Sequence, residues 1–277
     1  YLQDQLELTE QWHAVLGARY DQFSVDLHNN RNNTDLHSDD DLVSPRAGLI
    51  YKPITDVSAY INYSKSYVPR AGEQLAGLSA TNAALEPEAF VNREVGLKWD
   101  LSSQLAVTAA LYQLDRTNVA VTDPTDPTKL LLVDGQNVQG VELELQGQVI
   151  EGWDFVAGYA KQDAEVEAPA ADRGKTLPQV PKQKLSMWHK YQFNDQWGVG
   201  LGLTSQSASV IALDNKITLP GFARWDAAVY YKPLPDVRVQ LNVENLTDKH
   251  YAASAHNNNN IMPGSPANAR LSVSYKF

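Results

Sequence analysis

The sequence predicts an all-β fold, an antiparallel transmembrane β-barrel to which this chain contributes about thirteen strands. Three observations carry that reading. The chain ends on a strict alternation: Ala269, Leu271, Val273, Tyr275 and Phe277 fall on one face, and Arg270, Ser272, Ser274 and Lys276 on the other. A period of two is a strand with one apolar and one polar face. Similar runs recur along all 277 residues. The connections between them are short and long in turn, as in bacterial barrels.

In chain order the runs are 1–8, 12–27, 42–52, 57–67, 91–101, 105–121, 130–149, 153–167, 184–193, 197–205, 222–232, 237–245 and 269–277. Run 130–149 sets Val141, Leu143 and Leu145 against Glu142, Glu144 and Gln146. Run 197–205 sets Trp197, Val199, Leu201 and Leu203 against Gly198, Gly200, Gly202 and Thr204. Run 237–245 sets Val237, Val239, Leu241 and Val243 against Arg238, Gln240, Asn242 and Glu244. Charged side chains on an inner face are costly in a dry sandwich core. They are cheap in a water-filled lumen.

Short turns are expected at 9–11, 53–56, 102–104, 150–152, 194–196 and 233–236. Long connections are expected at 28–41, 68–90, 122–129, 168–183, 206–221 and 246–268. Trp12, Tyr51, Trp99, Trp153, Phe193, Trp197, Tyr230 and Tyr231 all lie near short turns, with Phe277 expected at the same rim. Amphipathic rings collect where membrane meets water, so this set reads as one aromatic girdle. The alternative is a set of core aromatics near strand ends.

Composition sets limits. The net charge is −10, from 23 basic and 33 acidic residues. No basic patch supplies phosphate contacts, so nucleic acid is not an expected partner. Mean hydropathy is −0.38. No apolar run approaches the ~18 residues of a membrane helix. There is no cysteine, hence no disulfide frame and no thiolate metal site. Single-chain bacterial barrels use an even strand number, so thirteen strands imply either a count wrong by one or further strands upstream of Tyr1, and the abrupt start at Tyr1 favours the latter. An unpaired edge in lipid would leave backbone groups unsatisfied at several kcal/mol each.

Nine short motifs occur in a telling order. They are Leu16–Asp21, Ser44–Pro53, Tyr63–Tyr67, Leu85–Glu88, Glu94–Trp99, Gly140–Glu144, Pro178–Lys182, Asn242–Asp248 with Tyr251, and the terminal Phe277. In this order the chain resembles the C-terminal part of the barrel of TonB-dependent siderophore receptors. The resemblance covers essentially all of residues 1–277, read as one domain portion. It implies a 22-stranded barrel in the bacterial outer membrane, with Tyr1 near strand ten. It also implies a signal peptide, a TonB box, a plug domain and about nine strands that are absent from this sequence. The stretch from Tyr67 to Gln74, with Leu85–Glu88, is similar to receptors for ferric catecholates. Ferrichrome-type hydroxamate receptors share much of the pattern, and a passive porin-like barrel is the other alternative.

A ferric siderophore is bulky and often anionic, so a receptor needs aromatic and cationic groups around a vestibule. The candidates in the expected outer connections are Tyr67, Arg70, Gln74, Arg173, Lys175, Lys216 and His256. Each could equally be a solvated loop residue. No resident cofactor is expected, because iron would arrive chelated as cargo. His13, His28, His37, His189, His250 and His256 show no ligand spacing. Asp39, Asp40 and Asp41 lack an EF-hand pattern and read as a solvated acidic loop. Asn257–Asn260 reads as a polar loop tip. No nucleophile motif such as GxSxG is present, so catalysis is not expected. Leu271, Val273, Tyr275 and Phe277 resemble the signal read by the barrel-assembly machinery. Simple lipid-facing packing would demand the same residues. The partners this implies are a ferric siderophore, TonB acting through the N-terminal part, the assembly machinery and outer-membrane lipid.

Overall fold

The computed structural model describes residues 1–70, 78–122 and 130–277. The described residues form strands, turns and irregular connections, with no helix among them. The strands are β1 (Leu2–Glu7), β2 (Trp12–Asn29), β3 (Thr34–Ile54), β4 (Val57–Val68), β5 (Glu88–Ser102), β6 (Leu105–Thr117), β7 (Val119–Thr122), β8 (Leu130–Val133), β9 (Gln136–Ile150) and β10 (Trp153–Val166). They continue as β11 (Gln183–Gln192), β12 (Trp197–Gln206), β13 (Ser209–Val210), β14 (Thr218–Leu219), β15 (Phe222–Leu234), β16 (Val237–Glu244), β17 (Ala252–Asn257), β18 (Asn260–Pro263) and β19 (Asn268–Tyr275).

Thirteen of these strands make one sheet, in the order β1-β2-β3-β4-β5-β6-β9-β10-β11-β12-β15-β16-β19. The strand number read from alternation is the observed one. The other six strands form three small hairpins inside long connections: β7 with β8, β13 with β14, and β17 with β18. Run 105–121 breaks at Asn118, whose φ of 58° takes it out of strand geometry. Run 130–149 breaks at Asp134–Gly135.

Contacts group the chain into two compact units. Unit 1 is Tyr1–Gly96, Leu111–Gln139 and Ala164–Lys175; unit 2 is Leu97–Ala110, Gly140–Asp163 and Thr176–Phe277.

In unit 1 the β2–β3 register pairs Trp12 with Tyr51, Ala14 with Leu49, Leu16 with Ala47 and Tyr20 with Val43. These residues share one apolar face, as opposed positions do. The other face carries Gly17, Arg19 and Asp21 opposite Arg46, Ser44 and Leu42. Beyond that point the faces exchange character. Ser24, Asp26 and His28 continue the formerly apolar face, opposite Asp39, His37 and Asp35. Phe23, Leu27 and Leu36 continue the formerly polar face, where they pack on Val25, Leu78 and Ala83. The surroundings explain the reversal. Near the short turns the outer face meets lipid; past Tyr20 it meets water, and the inner face is covered by the connection carrying Leu78. The segment 28–41, expected to be a long loop, is instead mostly strand closed by a four-residue turn at 30–33. β2 has 18 residues, roughly 60 Å at the rise of a strand, far more than the 9–11 residues needed to span a bilayer.

In unit 2, Val199, Leu201 and Leu203 lie opposite Val229, Ala227 and Trp225. Val239, Leu241 and Val243 lie opposite Val273, Leu271 and Ala269. The reverse face carries Gly198, Gly200 and Gly202 opposite Tyr230, Ala228 and Asp226. Gly200 and Gly202 seat the Trp188 indole: an added Cβ would lie 2.5 Å and 2.4 Å from its ring. Several rim aromatics pair as expected for a girdle, whereas Tyr230, expected among them, lies on the reverse face opposite Gly198, because it alternates with Tyr231. Trp12 stacks on Tyr51 at 4.5 Å and Trp197 on Tyr231 at 4.2 Å. Tyr275 meets Phe277 edge-on at 5.0 Å.

Candidate functional site

The long-connection end of β1–β4, in unit 1, bounds a cavity of about 940 Å³. Its wall includes Arg19, Arg46, Lys65 and Tyr67, with Asp21 as the carboxylate among them. Strand parity explains two of the cations: Arg19 and Arg46 alternate with the apolar residues of β2 and β3. Arg19 Nη2 lies 2.7 Å from Asp21 Oδ1, and Arg46 Nη1 donates to Gln3 Oε1 at 2.6 Å. Lys65 Nζ stands 4.9 Å from the Tyr67 ring centroid. The lining residues thus include three cations, one carboxylate and two tyrosines, Tyr1 and Tyr67; in register, Ser64 shares the face of Arg46, while Lys65 and Tyr67 alternate with it on the face of Tyr63. This suits an anionic, aromatic guest.

Arg70 lies just past the cavity lip formed by Val68 and Pro69. It is buried, at 8% exposure. Its Nη1 lies 3.5 Å from Glu88 Oε1, and its Nη2 donates to the Asn118 carbonyl. Arg116 holds the other oxygen of Glu88, with Nε donating at 2.7 Å. Asn118 Nδ2 in turn donates to the Pro87 carbonyl at 3.1 Å. Asp40, beyond the apolar band of β3, has a carboxyl raised above the usual carboxylate range by burial and drawn back by the charge of Arg70.

A second cavity of unit 1, about 650 Å³, is lined by Arg173, Asn118, Asp134, Glu165 and Glu167. Carboxylates dominate it. Arg173 is exposed, and its Nε donates to the Glu167 carbonyl at 2.9 Å. Lys175 pairs with Asp172 at 2.6 Å. Lys216 and His256 belong to unit 2, both exposed in its long connections. Gln74 lies outside the described residues. Of the six loop candidates among the described residues, then, Tyr67 alone lines the cationic cavity. Arg19, Arg46 and Lys65 escaped the sequence reading because it sought ligand groups in loops alone. Their signal was present: Arg19 and Arg46 sit at polar-face positions of amphipathic strands, and Lys65 sits inside the Tyr63–Tyr67 motif.

In unit 2 the long connections meet one another. Ile211, Leu219 and Ala255 form a small core. Gln179 bridges it, its N–H donating to the Val210 carbonyl at 2.8 Å and its Oε1 accepting from Ala255 N at 3.2 Å. Asn245 is the fully buried hub at the base of the last connection. Its Nδ2 donates to the carbonyls of Lys249 and Ser265 at 3.0 Å and 2.9 Å, its Oδ1 accepts from Lys249 N at 2.8 Å, and its own N–H donates to Asp226. At the short-turn end a third cavity, about 860 Å³, is lined by Lys190, Lys232, Arg238 and Tyr230 with Glu151 and Asp195. Among the described residues, no group of three or more His, Asp or Glu side chains is arranged to hold a metal ion.

A lipid-facing apolar face, a polar reverse face and short turns alternating with long connections are the marks of a transmembrane β-barrel. The chain belongs to the TonB dependent receptor-like β-barrel family, which it matches over residues 1–246. It is therefore a stretch of outer-membrane barrel. It is 30% identical over 305 residues to the probable TonB-dependent siderophore receptor PiuA of Acinetobacter baumannii, an alignment covering 100% of this chain and 40% of PiuA. The metal-pseudopaline receptor CntO of Pseudomonas aeruginosa is likewise 30% identical, with 100% of this chain and 40% of CntO covered. The crystal structure of PiuA superposes with a TM-score of 0.92 at 29% identity, over 99% of this chain and 42% of that one. That of the Escherichia coli ferric-catecholate import receptor Fiu, in its closed form, gives 0.86 at 25%, over 99% and 44%. The chain thus spans about 40% of the length of these curated relatives.

Proposed function

We propose that the protein containing this chain is an outer-membrane receptor that takes up ferric siderophores in a TonB-dependent manner, with catecholate chelates as the favoured cargo. The cavity of Arg19, Arg46, Lys65 and Tyr67 carries the reading. A ferric tris-catecholate is a polyanion with aromatic edges, and such a guest matches a cationic wall carrying a tyrosine face. Iron enters as cargo, already chelated, and no resident cofactor takes part. TonB acts through the plug domain that the family carries ahead of the barrel.

The experiment is growth under iron limitation. Cells whose only siderophore receptor is the full-length protein are supplied with ferric catecholate or ferrichrome. Catecholate-dependent growth that requires TonB supports the proposal. Growth on ferrichrome alone moves the cargo to hydroxamates, and growth independent of TonB leaves a passive barrel.

Assembly is a separate part of the proposal. Leu271, Val273 and Tyr275 lie opposite Leu241, Val239 and Val237 on β16, and Phe277 follows the edge strand β19. Leu271 and Val273 are each 65% exposed, on a face suited to lipid. The barrel-assembly machinery reads this strand from its terminal aromatic. Deleting Phe277 should lower the heat-modifiable, folded receptor in outer membranes; an unchanged level would remove the assembly role.

A further inference from the structure

Arg70 was expected among the ligand contacts, yet its geometry points elsewhere. A group that meets an anionic guest must be reachable. The Arg70 side chain is only 4% accessible, and its fork is engaged by Glu88 and the Asn118 carbonyl. Two further details stand out. Arg70 Nε and Asp40 Oδ2 are both buried without a hydrogen-bond partner. Glu88, at 18% accessibility, is shared by two guanidiniums, those of Arg70 and Arg116. Arg70 thus joins three pieces of unit 1: the cavity lip at Val68–Pro69, the start of β5 at Glu88, and the β6–β7 junction at Asn118. Asn118 also lines the second cavity. A buried charge with incomplete satisfaction is costly, and where it is kept it holds one arrangement over others.

We propose that Arg70 is a positioning residue: its guanidinium locks the lip beside Tyr67 onto Glu88 and Asn118, and it fixes the cationic cavity without touching the guest. The inference rests on the reading of that cavity as the chelate site.

The test uses the full receptor purified from outer membranes, with the ferric tris-catechol complex as probe. Binding is measured for Arg70→Met, Arg70→Lys, Glu88→Gln and the Arg70→Met/Glu88→Gln pair, at low and high ionic strength. Heat-modifiable migration first establishes that each variant is folded. A positioning role predicts that each single variant weakens binding by about tenfold, the scale of coupling within one network, and that the pair is no worse than either alone. Lysine keeps the charge but lacks the planar fork whose two separate Nη atoms meet Glu88 and the Asn118 carbonyl, so Arg70→Lys should behave like Arg70→Met. The salt dependence of binding should match that of the unaltered receptor, because no charge is lost from the guest's contact surface. Direct contact predicts the reverse: Arg70→Lys close to normal, Glu88→Gln harmless, additive losses and a weaker salt dependence. Any of these overturns the inference. If Arg70→Met does not assemble, Arg70→Lys and Glu88→Gln still decide it. Tyr67→Ala separates the two levels. Unchanged binding in that variant removes the cavity reading itself. Weakened binding there, with normal binding in Glu88→Gln and Arg70→Lys, removes only the role of Arg70.

Discussion

Among the described residues, two places set a lysine over a tyrosine ring. In unit 1, Lys65 lies 4.9 Å from the ring centre of Tyr67; in unit 2, Lys190 lies 5.1 Å from that of Tyr230. Each pair lines a cavity, of about 940 Å³ and 860 Å³ respectively. Their settings differ. Tyr67 stands at the long-connection end, beside Arg19 and Arg46 and next to the Arg70 cluster. Tyr230 stands at the short-turn end, next to a Trp188 ring that fills the notch left by Gly200 and Gly202. Equal pairs of residues thus belong to different tasks. One adjoins the long connections beside the proposed guest site. The other is part of the seating of β11 against β12 and β15.

The long connections show a parallel contrast. In unit 1 they are tied down by a charged cluster, in unit 2 by the neutral hub Asn245. The largest effect is expected at that hub. Asn245→Ala deletes three side-chain hydrogen bonds and places alanine at a φ of 54°. Unsatisfied buried partners and left-handed strain together should destabilise the last connection by about 3 kcal/mol. Limited proteolysis within 245–268 would register it as faster cleavage, with cutting inside unit 1 unchanged. Asn245→Gly removes the strain but not the lost bonds, and should recover only part of the protection. Cleavage no faster in Asn245→Ala than in the unaltered protein would erase the contrast between hub and charged cluster.

The next effect tests the two lysine–tyrosine pairs directly. Lys65→Ala with Tyr67→Ala should weaken binding of ferric tris-catechol by tenfold or more, roughly the loss of one desolvated cation–π contact plus one charge. Lys190→Ala with Tyr230→Ala should leave equilibrium binding within about twofold while lowering the thermal midpoint of the barrel, since a ring contact near the Gly200 notch is lost. Equal losses of affinity from both double variants would mean that the short-turn cavity also holds the guest.

The sequence made some of this legible and hid the rest for physical reasons. The strands of the sheet were readable because a lipid face and a wet face impose a period of two over each crossing. The β2–β3 hairpin beyond Tyr20 was not, because its outer face turns from apolar to charged where lipid ends. Asp39, Asp40 and Asp41 therefore looked like loop although their backbone is paired with β2. The hairpins β7–β8, β13–β14 and β17–β18 have strands of two to six residues, too few for a periodic pattern. Among the site residues, Tyr67 was found because it belongs to a motif beside a long connection. Arg19 and Arg46 lie inside strands, where a search confined to loops does not reach. Arg70 was read as a contact because nothing in a sequence distinguishes a buried guanidinium from an exposed one.

The smallest effect concerns the same hairpin, at an exposed site, and separates its outer face from the cavity on its inner one. His37 lies on the outer face past the apolar band, with Nδ1 2.8 Å from Asp26 and Nε2 2.6 Å from Asp39. Two carboxylates can both accept from the ring only when both nitrogens carry protons. The hydrogen bonds from Asp39 and then Asp26, with the charges of both, raise the His37 pKa above its ordinary value, against a small opposing effect of burial. The sign follows directly. A raised folded pKa contributes stability that is fully present below the unfolded value of about 6.5 and is lost as pH rises through the folded one. The hairpin tip should therefore be held more firmly at mildly acidic pH than at alkaline pH. An NMR titration of His37 in the detergent-solubilised receptor should show a midpoint above that of exposed histidines, and Asp39→Asn should bring it down further than Asp26→Asn. Because these groups lie on the opposite face of β2 and β3 from Arg19 and Arg46, binding of ferric tris-catechol should stay constant across the same titration. A binding curve that follows the His37 midpoint would join the two faces of the hairpin into one device and break the separation between them.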